Sequence, residues 1–93
     1  MGSENDYRRR AEHLSEMFRT PAAARIKEAV ERRKRLRADG WPTRMCAGRI
    51  ALQMDVRAAT VRDWLRTYRK NPARYDAMET PRFDYVRELP PGA

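Results

Sequence analysis

Two short apolar rows, separated by Asp55-Val56, restrict the packing open to this chain more than any other feature. In residues 47–66, AGRIALQMDVRAATVRDWLR, the residues Ile50, Ala51 and Met54 fall on one side of a helix at i, i+1 and i+4. Val61, Trp64, Leu65 and Tyr68 repeat the pattern at i, i+3, i+4 and i+7. Neither row is long enough to be stable alone, so the two helices must close on each other. Asp55 tolerates the left-handed conformation of a tight turn, and Val56 supplies an apolar plug into the shared core. The pattern leaves Arg57, Ala58, Ala59, Arg62, Asp63 and Arg66 outside. A helix that begins with small residues and carries arginines one turn apart fits a major groove and reaches base edges.

At these residues the chain resembles the helix-turn-helix DNA-binding family. Counting Ala47 as the first position, Ala51, Met54, Val56, Val61 and Trp64 match the small and apolar positions of that family. The ending TVRDWLRTYR looks like recognition helices of homeodomain-like transposases, invertases and small phage or plasmid regulators. Two positions depart from the pattern. Asp55 stands where Gly is usual, and Arg57 stands where Ser or Thr often caps the second helix. The resemblance covers about a fifth of the chain and implies an all-α domain that binds double-stranded DNA.

Ninety-three residues make one small domain with a single modest core. Charged residues are 37% of the chain, and the net charge of +8 and pI near 10.5 point to an anionic partner. The excess is concentrated: residues 21–70 hold fourteen Lys or Arg against five acids, whereas the flanks are neutral or slightly acidic. No apolar run is long enough to span a membrane, and the charged segment 5–16 does not read as a signal peptide. The single cysteine excludes an internal disulfide and fits a reducing compartment, and the resemblance to small phage and plasmid regulators implies a bacterial cytoplasm or nucleoid.

In chain order, Tyr7, Ala11, Leu14 and Phe18, with Met17 beside them, predict an amphipathic helix over 4–19 that either caps the core or serves as a dimerisation arm. His13 lies off that stripe and reads as a solvated side chain. Thr20-Pro21 reads as a cap and first helical residue, and the helix that follows ends at Asp39-Gly40. Its inward residues are Ile26, Ala29, Val30 and Leu36, with Glu28–Arg32 and Glu31–Arg35 paired at i, i+4. Trp41 is expected to plug the core, Thr43 to cap the next helix, and Cys46 to be a buried, inert thiol. The second helix of the pair is expected over 58–70, stopped by Asn71-Pro72. After it, four prolines break the chain into short pieces, with a short helix near 73–78 and an apolar patch at Phe83, Tyr85 and Val86. This tail folds back, swaps onto a second subunit or recruits a protein partner; a wing hairpin in PRFDYVREL lacks a convincing turn.

The expected organisation is therefore all-α, about four helices, with an amphipathic helix over 1–20 (core cap or dimerisation arm), a helix-turn-helix DNA-binding domain over 21–70 and an irregular tail over 71–93. Arg57, Ala58, Ala59, Arg62, Asp63 and Arg66 are the expected base readers; Asp63 either accepts from a cytosine or orients a neighbouring arginine. Arg44, Arg49, Thr60, Arg69, Lys70, Arg33 and Arg37 are the expected phosphate contacts, about six of them acting together. No His or Cys cluster, Gly-rich phosphate loop or nucleophile triad is legible, so no metal, cofactor or enzymatic activity is expected. Double-stranded DNA is the expected partner, bound by a homodimer that reads two half-sites. Two other readings use the same charge: an RNA-binding or ribonucleoprotein component, and a DNA-binding adaptor of the packaging or excision type.

Overall fold

The structure, a computed structural model, describes residues 21–92; the expected arm over 4–19, His13 and the Thr20 cap lie outside the described residues. Four helices follow one another: α1 over Pro21–Ala38, α2 over Thr43–Met54, α3 over Ala58–Lys70 and α4 over Pro72–Asp76. No strand occurs among the described residues, and the fold is all-α. No wing hairpin forms in them either.

The helix boundaries follow from local chemistry. Pro21 opens α1 with its φ already set for a helix. At the other end the amide of Trp41 donates to the Leu36 carbonyl at 2.9 Å, and that of Gly40 to Arg37 at 3.1 Å. This double bond pattern needs a left-handed residue at position 40, and Gly40 supplies it at φ 98°. The same pattern closes α2, where Val56 donates to Ala51 at 3.0 Å and Asp55 to Leu52 at 3.4 Å. Here the left-handed residue is Asp55 itself, at φ 54° and ψ 50°. Thr43 is the first residue of α2 rather than its cap: Pro42, extended at ψ 146°, takes that place without a side-chain bond. Arg57 precedes α3 in the same way, also without a side-chain cap. The starts of α2 and α3 are thus bare, whereas the ends of α1 and α2 are closed by paired backbone bonds.

The main core draws on all three long helices and the connector: Ala29, Val30, Leu36, Trp41, Cys46, Ile50, Ala51, Val61 and Leu65 are buried together. Met54, Val56, Trp64 and Tyr68 are half-buried around it. A second cluster, Ala23, Ile26 and Tyr75, joins the start of α1 to α4. Cys46 donates its thiol to the Pro42 carbonyl at 3.4 Å, and burial pushes its pKa up, which keeps the sulfur protonated and unreactive.

The tail folds back. After α4 brings Tyr75 onto the start of α1, the chain continues as an extended strap along that helix towards its C-terminal end. Pro81, Phe83 and Tyr85 alternate as half-buried residues, while Arg82, Asp84 and Val86 between and after them are exposed. Tyr85 donates to Asp39 at 2.7 Å, Arg87 pairs with Asp39 at 3.3 Å, and the Trp41 indole donates to the Glu88 carbonyl at 2.7 Å. Of the expected apolar patch, Val86 does not take part; it is 73% exposed.

Candidate nucleic-acid interface

The outward face of α3 follows from its inward one. With Val61 and Leu65 buried and Ala58, Trp64 and Tyr68 half-buried, the residues half a turn away are left in solvent. They are Ala59, Arg62, Asp63, Arg66, Thr67, Arg69 and Lys70, preceded by Arg57 in the turn. Ala59 leaves the start of this face low. Arg62 has neither an ion pair nor a hydrogen bond among the described residues, and the same holds for Arg57, Arg69, Lys70 and Arg44 at the start of α2. Arg66 donates to Asp63 at 3.2 Å, one turn back on the same face. Both partners of that pair are about two-thirds exposed (64% and 69%), so it is solvent-screened and opens at little cost.

Several expected contacts lie elsewhere. Ala58 is packed against the core and does not face outward with Ala59. Thr60 is half-buried on the flank of α3. Arg49 is not offered to a phosphate: its guanidinium is bonded to the Glu88 carboxylate and lies over the Trp41 ring at 5.5 Å. Arg37 donates to the Trp41 carbonyl at 2.8 Å and so ties down the turn after α1. Arg33 is half-buried with its guanidinium over the Tyr68 ring at 5.9 Å.

The rest of the basic run on α1 is equally engaged. Glu28 and Arg32 pair at 3.0 Å, as their spacing predicts, and Arg32 also donates to Gln53 at 3.0 Å. Arg32 is only 6% exposed, which makes it part of the interior. The expected Glu31–Arg35 pair does not form. Glu31 binds Lys27 at 3.2 Å and Lys34 at 3.1 Å instead. Partial burial pushes the Glu31 carboxyl up, but the bonds from Lys34 and Lys27 outweigh it and hold the group below its ordinary value. Arg35 lies over Phe83 at 4.7 Å and Tyr85 at 5.4 Å. These aromatic partners sit some fifty positions downstream, beyond the reach of any pattern within the run itself.

No three His, Cys, Asp or Glu side chains cluster as metal ligands among the described residues. No described helix is long and apolar enough to cross a membrane. Compared with known protein families, curated proteins and solved structures, the chain matches none.

Proposed function

We propose that this chain binds double-stranded DNA sequence-specifically, with α3 in the major groove, and acts as a small transcriptional regulator of phage, plasmid or bacterial-cytoplasmic type rather than as an enzyme. The observation that carries the reading is Arg62: exposed, unpartnered among the described residues, and one turn from Arg66 on a face with no other bulky side chain near its start. Arginine's fork bonds the O6 and N7 of guanine together. The three-residue turn between α2 and α3, with Val56 tucked against the core, is the arrangement expected of a helix-turn-helix pair. Arg57, Ala59 and Asp63 complete the reading face. Arg44, Arg69 and Lys70 are the phosphate contacts, with Arg57 able to reach the backbone as well.

About four phosphate contacts, rather than six, lower affinity by roughly two orders of magnitude between 50 and 200 mM salt. A dimer would place two copies of α3 about 34 Å apart on one side of the duplex. The deciding experiment is selection of binding sites from random duplexes, repeated with Arg62→Ala. A preferred site that relaxes at one base pair in the variant supports the reading. Equal losses on every sequence reduce Arg62 to a phosphate contact, and preference for structured RNA over duplex overturns the proposal.

A further inference from the structure

Most engaged cations of α1 are bonded to oxygen: Lys27, Arg32 and Lys34 meet carboxylates and Arg37 meets a carbonyl. Arg33 and Arg35 meet only rings, but Arg33 is half-buried over one, whereas Arg35 is exposed and rests on two. A guanidinium resting on rings is held flat and oriented while its N–H edge stays open. Among the described residues that edge has no hydrogen bond or ion pair. It borders an open cleft of about 550 Å³ lined by Arg35, Thr80, Pro81, Arg82, Phe83 and Asp84. Arg82 and Thr80, on the same stretch of strap, are exposed and also unpartnered among the described residues. The cleft therefore presents two guanidinium groups, one of them oriented in advance, with a hydroxyl beside them.

We infer that this cleft is a second anion site, on the strap side of α1, and that its ligand is a singly charged phosphodiester. The lining carries Arg35 and Arg82 against Asp84, a net charge of +1 that matches one diester. A phosphomonoester dianion would meet the Asp84 carboxylate with charge to spare. Arg32 and Arg35 already stand over the Phe83 ring at 4.5 and 4.7 Å, so the ring is engaged by cations of α1. Arg35 projects about half a turn round α1 from the buried row of Ile26, Ala29 and Val30. The site thus lies away from the outward face of α3, and its occupant is a stretch of nucleic-acid backbone other than the one under that helix. The inference does not depend on α3 reading bases.

The test follows the side-chain N–H signals of Arg35 and Arg82 by NMR in the full chain, during titration with dimethyl phosphate, inorganic phosphate, a short duplex or a single-stranded oligonucleotide. Both signals are expected to move saturably with dimethyl phosphate. Arg82→Ala weakens that binding by about tenfold, and Asp84→Asn tightens it about twofold to threefold by removing the opposing charge. Arg62→Ala leaves it unchanged, so failure of the α3 reading and failure of this one are separate results. Whichever oligonucleotide moves both signals at the lower concentration identifies the backbone. Movement that does not saturate, or an affinity at Arg35 that Arg82→Ala leaves unchanged, removes the site. Tighter binding of inorganic phosphate than of the diester overturns the choice of ligand.

Discussion

Helices α1 and α3 are both rich in Lys and Arg, yet they use them in opposite ways. Six of the seven cations on α1 are engaged: Lys27, Arg32 and Lys34 with carboxylates, Arg33 and Arg35 with rings, and Arg37 with a carbonyl. Among the described residues only Arg66 of the four on α3 has a partner, and that pair is solvent-exposed. The difference lies in the neighbours. A strap of chain with two inward aromatics covers α1, whereas nothing among the described residues covers the outer side of α3. Density of charge in a sequence therefore says little about its availability. What decides is whether another segment arrives opposite it.

The sharpest way to break this contrast is to truncate one arginine from each helix. Arg32→Ala leaves Glu28 and Gln53 without their partner beside the core and removes the cation over Phe83. It is expected to cost about 3 kcal/mol of stability in urea unfolding, with little change in the affinity of the folded fraction for nucleic acid. Arg62→Ala should do the reverse, with stability within about 0.5 kcal/mol of the parent and a loss of about 1–3 kcal/mol in binding to a selected site. Equal effects of the two substitutions on stability would erase the distinction.

Smaller effects sharpen it. Arg57→Ser gives α3 the side-chain cap it lacks and should add about 1 kcal/mol of stability while weakening DNA binding, which separates the needs of the helix from those of its partner. Asp55→Gly relieves a left-handed non-glycine residue and should stabilise the fold by about 0.5–1 kcal/mol, read as a higher urea midpoint with an unchanged slope. A destabilised variant would show that the Asp55 carboxylate makes up for its backbone conformation.

The strap carries a bond whose contribution changes only at alkaline pH. Burial, then the bond to Asp39, pushes the Tyr85 phenol up to about 12 from an ordinary value of 10.0. The folded chain holds this proton more tightly than the unfolded one. The stability it contributes is complete below pH 10 and is lost as pH rises from 10 to about 12. Tyr85→Phe should flatten that part of the stability–pH curve. An identical slope in parent and variant would show that the strap is not held by this bond.

Much of the helical body was legible because its signals are local. Pro21, Gly40, Asp55 and the pair Asn71-Pro72 mark helix ends within one or two residues, and the apolar rows mark inward faces. Buried Lys27 and Arg32 were not legible, since nothing within one turn of them announces a cover. Arg49 looked free because Glu88 lies 39 positions away. Two patterns together carried a signal for the strap: the row Glu28, Arg32, Arg35, Asp39 on α1, and the alternation Pro81, Phe83, Tyr85 in the tail. Each looked bland alone, and their complementarity emerges only when the two are set side by side.

The route of the strap has a kinetic consequence. Its contacts close loops of about forty to fifty residues, whereas contacts between successive helices close loops of a few to about twenty and those of α1 with α3 about thirty to forty, so the three-helix body has the smaller entropic barrier. The tail is expected to dock last during folding and to detach first in mild denaturant. Backbone amides of the segment 79–89 should then exchange their hydrogens much faster than those of Val30, Ile50 or Val61, and equal protection of the two sets would mean that the molecule opens as a single cooperative unit.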